Sequence, residues 1–151
     1  MSAEEFERLF PNLRSRGYSV SSAPDPRYNC ASWALNHTSV CYDPFPSPGC
    51  YWPRDIPRDT SVDSYEFLFR KEGYSRCGDA EPEQGFEKIA LFAQGNSFMH
   101  VARLTPSGSW TSKIGGLEDI EHRSLDALQP SDYGTVAIVM RQPLSLRPDS
   151  R

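Results

Sequence analysis

The chain has 151 residues, 38% of them hydrophobic and 24% charged, with a net charge of −4. That length fits one domain with a real core, and the apolar fraction excludes a disordered polymer. The acidic balance, with no basic stripe, argues against nucleic acid as a partner. Apolar runs are too short to span a membrane and the acidic N-terminus lacks a hydrophobic leader. No membrane partner is therefore expected; the default location is cytoplasmic, with export by another route left open.

Ser2 and Glu5 form a capping-box pattern, Phe6, Leu9 and Phe10 line one face, and Pro11 stops the run, which predicts a helix over residues 3–10. Residues 14–27 read as irregular. The next helix opens at Tyr28-Asn29-Cys30-Ala31-Ser32-Trp33-Ala34-Leu35. Asn29 is a good N-cap, and Tyr28 and Trp33 fall at the positions of a hydrophobic staple. Cys30 is then the first helical residue, where the positive end of the helix dipole favours thiolate over thiol. A nucleophilic cysteine is the expectation.

Five prolines and Gly49 between residues 40 and 57 predict a long loop, whose Tyr42, Phe45, Tyr51 and Trp52 pack on it or wall a cleft. A helix follows from Thr60 or Ser61, with Val62, Tyr65, Leu68 and Phe69 as its buried stripe and Gly73 after its end. Strands are expected over residues 88–93, 98–104, 109–114 and 134–140, the middle two forming a tight antiparallel hairpin. A short helix is expected around Leu125 to Leu128. Helices first and a meander afterwards predict an α+β class.

The four cysteines, Cys30, Cys41, Cys50 and Cys77, lack the spacing of a structural zinc site, so neither metal nor other cofactor is expected. Cys41 and Cys50 could close a disulfide under oxidising conditions. A thiol nucleophile needs a base. His37 lies two turns beyond Cys30 on the same short helix, which leaves His100, at the front of an apolar strand, as the candidate. His122 reads as a solvated loop residue or an orienting partner. The plain alternative for His100 is a core histidine.

The segments Asn29-Cys30-Ala31-Ser32-Trp33-Ala34 and His100-Val101-Ala102-Arg103-Leu104 resemble the NlpC/P60 and CHAP-like branch of the papain-fold cysteine hydrolases. Together with Trp110-Thr111-Ser112-Lys113-Ile114-Gly115 and Asp119-Ile120-Glu121-His122, they look most like an uncharacterised group of small bacterial proteins with a papain-like core. The resemblance implies one domain over 1–151, with a core near 28–141, a tail over 142–151, and N-terminal helices packed on a C-terminal antiparallel meander. It also implies a thiol peptidase or amidase acting on peptide, isopeptide or peptidoglycan-type amide bonds. Cys30 would attack, His100 would act as base, and Asp119 would orient the imidazole, with Glu118 close behind. The NlpC/P60 pattern puts a His, Asn or Asp on the strand after the catalytic His, where this chain has Ser112 and Lys113. Asn29, Ser112, Lys113, Trp33, Trp110 and His122 are further candidates for the third group or for substrate binding. The solvated-lysine reading of Lys113 and the core reading of Trp33 and Trp110 stand beside these. Arg103 is a candidate ion-pair partner for Glu118 or Asp119. The alternative function is a non-catalytic module that holds a peptide or protein partner in its cleft.

Overall fold

A computed structural model describes residues 7–8, 10, 18–22, 29–35, 41–45, 48–105, 108–113, 119–122, 124–125 and 134–144, with residues 21, 22 and 119 described in their backbone alone. In chain order the elements are β1 (Tyr18–Ser22), α1 (Cys30–Ala34), β2 (Cys41–Tyr42), β3 (Cys50–Tyr51), α2 (Val62–Lys71), β4 (Ser75–Arg76), β5 (Phe86–Gln94), β6 (Ser97–Leu104), β7 (Trp110–Lys113), β8 (Asp119–His122) and β9 (Thr135–Pro143). Seven strands join in one sheet in the order β1-β8-β7-β6-β5-β9-β4, and β2 and β3 form a small parallel pair.

The expected α+β, papain-like layering is therefore corrected: the fold is β-rich. Residues 18–22, read as irregular, pair antiparallel with β8 and extend the sheet. The β-branched final run inserts between β5 and β4, so the sheet is not a simple C-terminal meander. The helix that carries Cys30 is only five residues long. Of the first expected helix, residues 7 and 8 are helical and most of the rest lies outside the described residues. The expected tail also starts later, because β9 runs to Pro143 and Leu144 N–H donates to Gly85 O at 3.0 Å. The expected helix at 125–128 lies almost wholly outside the described residues.

Strand β5 reads as a continuous apolar run because both of its faces are covered. Ile89 and Leu91 face one core with Ala31, Ala34, Leu68, Phe69 and Val101, beneath the two helices. Ala90 and Phe92 face a second core with Ala102, Leu104, Trp110 and Ile120. Each large side chain buried this way contributes about 1.5–3 kcal/mol. Helix α2 starts at Ser61, whose hydroxyl accepts from Ser64 N–H, and ends before Gly73 at φ 106°. Its buried stripe is the expected one, with Tyr65 stacked on Phe98 at 3.7 Å between ring centroids.

Two irregularities shape the middle of the sheet. Pairing of β5 with β6 slips between Phe92↔His100 and Ala93↔Phe98, which leaves Met99 as an extra residue. Such a bulge re-aims the neighbouring side chains. Strand β6 pairs with β7 at Arg103 and Leu104, and the pairing stops there. Among the described residues no strand pairs with the first half of β6 on that side, and α1 packs against β6.

Candidate active site

Asn29 holds the tip of α1. Its Oδ1 accepts from Ser32 N–H at 3.2 Å, and Ser32 Oγ accepts from Asn29 N–H at 2.8 Å, so the cap is reciprocal. The Asn29 Nδ2 group also donates to Tyr42 O at 2.7 Å and to Cys41 Sγ at 3.3 Å, tying α1 to β2. Cys30 follows as the first residue of the helix, half-buried. The backbone N–H groups of Val101, Ala31 and Cys30 itself lie near enough to Sγ to favour its charged form. The sulfur therefore lies against the peptide that joins His100 to Val101.

The thiolate expected from the helix dipole is corrected. Burial pushes the Cys30 thiol up to about 11, and the three N–H groups offset only part of that. A five-residue helix sums few peptide dipoles, so desolvation wins. The resting sulfur is a thiol.

His100 is buried at 1% exposure and packs on Phe92, with ring centroids 5.6 Å apart. Its Nε2 lies 2.9 Å from Ser112 Oγ on β7. Ser112 Oγ in turn lies 2.8 Å from Nε2 of His122 on β8, and Nδ1 of His122 lies 2.9 Å from Ser124 O. Burial lowers both imidazoles, His100 to about 3 and His122 to about 4, so both rings are neutral at pH 7.

Neutral rings fix every proton in this chain of contacts. The Ser124 carbonyl can only accept, so His122 carries its proton on Nδ1 and leaves Nε2 as an acceptor. Ser112 must then donate its hydroxyl proton to His122 and accept from His100. His100 is consequently protonated on Nε2, and its basic lone pair is on Nδ1. A backbone carbonyl three contacts away thus sets the proton position on the His100 Nε2 side.

The structure thus brings His100, Ser112 and His122 together and places Cys30 against the backbone of His100. It does not hydrogen-bond the thiol to the imidazole: the polar groups that act on Sγ are backbone N–H groups. The His100 ring packs on Phe92 of the second core while Cys30 packs against the first. Asp119 lies on β8 opposite Lys113, and its side chain, like the whole of Glu118 and His37, is outside the described residues. The group on His100 Nε2 is Ser112.

The remaining candidates are placed as follows. Lys113 is fully buried, which corrects the solvated-lysine expectation. Trp33 donates from Nε1 to Thr111 Oγ1 at 3.1 Å and lies under the Arg103 guanidinium at 4.2 Å. Arg103 donates to Trp33 O at 2.9 Å, and its Nε is 3.8 Å from Glu87; the Glu118 and Asp119 side chains expected to pair with it lie outside the described residues. Trp33 and Arg103 together strap α1 to the sheet. Trp110 is a core residue at 4% exposure. His122, read as a solvated loop residue or an orienting partner, is a buried strand residue at 1% exposure. The alternation Ile120-Glu121-His122 carried that signal, whereas no sequence pattern pointed to the Ser124 carbonyl. Among the described residues no cluster of His, Cys, Asp or Glu could hold a metal ion, and no helix is long and apolar enough to cross a membrane.

A family model described as a domain of unknown function (DUF7689) matches residues 19–141. The chain belongs to that family. The DUF7689 span contains Cys30, His100, Ser112 and His122 and runs from β1 into β9. No curated protein and no solved structure matches the chain.

Proposed function

We propose that this DUF7689 protein is a thiol hydrolase of peptide-type amide bonds, with Cys30 as nucleophile and His100 as base. The observation that carries the reading is the buried chain His100–Ser112–His122–Ser124, which orients the His100 imidazole, together with a cysteine at a capped helix start whose sulfur lies near the N–H of Val101, the residue after His100. The pair rests as thiol and neutral imidazole. On turnover the Sγ proton moves to His100 Nδ1 as Sγ bonds the acyl carbon. The N–H groups around the sulfur stabilise the oxyanion. Collapse breaks the C–N bond, and His100 returns the proton to the leaving amine. Water then splits the thioester, releasing a carboxylate and restoring the thiol. Burial opposes each charge alone, but thiolate and imidazolium stabilise one another once formed together. A cytoplasmic setting suits a reduced Cys30.

The test is a panel of fluorogenic peptide, isopeptide and muropeptide amides, together with peptidyl chloromethyl ketones. Turnover of at least one amide is expected, with Cys30→Ala abolishing it and His100→Ala lowering it about 10²–10⁴-fold. The ketones should label Cys30 ahead of Cys41, Cys50 and Cys77. No turnover, with Cys30 labelled no faster than the other three, would sink the reading. That outcome would favour a non-catalytic module binding a peptide or protein partner, a reading supported by the protonated resting thiol.

A further inference from the structure

We propose that Cys41 and Cys50 are a reversible disulfide site that acts on the cap of the Cys30 helix through Asn29. Cys41 and Cys50 are direct partners in the parallel β2–β3 pair, and the Cys50 thiol is near enough to raise the pKa of Cys41. Paired strands lie about 4.8 Å apart. That spacing falls within the roughly 4.4–6.8 Å between Cα atoms that a disulfide accepts. The pairing is held independently of any bond between the sulfurs. Cys41 N–H donates to Gly49 O at 3.4 Å, Asp43 N–H donates to Tyr51 O at 3.2 Å, and Tyr42 and Tyr51 meet edge to face at 5.8 Å. The loop ends are therefore already together, and closing the bond demands little rearrangement.

The two thiols are not equivalent. Cys50 lines an open pocket of about 540 Å³ that also contains Arg54 and Arg58, so a soluble oxidant reaches it first. Cys41 is the thiol to which Asn29 Nδ2 donates, and burial pushes it up to about 12. The oxidant assigned is a low-molecular-weight disulfide of the glutathione type, whose carboxylates suit the two arginines. The Cys50 thiolate attacks one sulfur of that disulfide and expels a first thiolate. Cys41, deprotonated, then attacks the Cys50 sulfur of the mixed disulfide and expels the second. The two protons lost by the protein end on the two released thiols. One disulfide is reduced and one is formed.

The consequence reaches Cys30 because Asn29 serves both sides. Its Nδ2 holds Cys41 Sγ and Tyr42 O, while its Oδ1 caps the helix. When Cys41 Sγ turns to Cys50, Asn29 loses that acceptor, and the clasp between β2 and the helix cap changes. This inference does not depend on hydrolysis, and its test reads no turnover.

The full chain is equilibrated in glutathione redox buffers, quenched with an alkylating agent, digested and mapped by mass. A Cys41–Cys50 linked peptide lacking two hydrogens is expected, reversed by dithiothreitol, with Cys30 and Cys77 alkylated throughout. Cys41→Ser should arrest at a glutathione adduct on Cys50. In ¹⁵N spectra the Asn29 side-chain amide should shift between the two states. A linkage involving Cys30, or glutathione adducts on Cys41 and Cys50 without closure in the wild-type chain, overturns the pairing. Closure that leaves the Asn29 amide signal in place overturns the coupling to the helix.

Discussion

At the scale of single residues, Ser112 is the one on which the site turns. Its hydroxyl is the only group between two buried imidazoles in the chain of contacts described, donating to one and accepting from the other. Ser112→Ala therefore leaves two buried ring nitrogens without that partner, at about 1–3 kcal/mol each. Urea unfolding should show a loss of that size, and turnover should fall because His100 is no longer held in the tautomer with Nδ1 basic. Ser112→Thr keeps the hydroxyl and should recover most of the rate, which a purely space-filling role for Ser112 does not predict. The cap at Asn29 and the place of Cys30 were legible in the chain, since a capping residue and its reciprocal Ser32 lie within four positions. The charge state of Cys30 was not legible. It follows from what buries the sulfur, including Val101 seventy-one positions away, and no local pattern carries that.

At the scale of elements, α2, β5, β6, β7 and β9 were legible because each is long or strongly patterned. Strands β1, β4 and β8 were not, being short and polar, and each exists because a longer neighbour supplies its hydrogen-bonding partners. Their absence from the reading turned a β-rich sheet into an apparent α+β layering. The start of β9 shows how tightly one such partnership is specified. Gly134 has φ 77°, and a Cβ there would lie 2.1 Å from Ala93 O at the end of β5. Gly134→Ala must both strain its own backbone and push β9 off β5. A loss of about 1–3 kcal/mol is expected, read as a lower Tm; an unchanged Tm would show that β9 does not enter the sheet this way.

At the scale of the whole molecule, the two buried histidines set the response to acid. Both have folded values below the usual 6.5, so the unfolded chain binds protons that the folded one refuses. Stability is complete above pH 6.5 and is lost as the pH falls from there towards 3–4. The slope approaches about 1.4 kcal/mol per pH unit for each ring. Chemical denaturation at pH 7, 6, 5 and 4.5 should trace this decline, and His122→Asn should flatten it. A stability flat across that interval would mean that at least one ring is charged when folded. Near pH 7 the same arrangement keeps the charge balance of the interior constant.

The sheet margins also have a consequence for the protein in a crowded solution. One border is β1, with five residues, and the other is β4, with two, whose Arg76 is clamped by Glu66 at 2.6 Å. The long apolar strands β5, β6 and β9 are all interior. A second molecule seeking to pair with β4 meets two residues of backbone, beside a guanidinium already committed elsewhere, and β4 itself covers β9 only at Met140 and Arg141. Zipper-like growth on β4 itself has almost nothing to template on, and β5, paired along both of its edges, surfaces only if the fold itself opens.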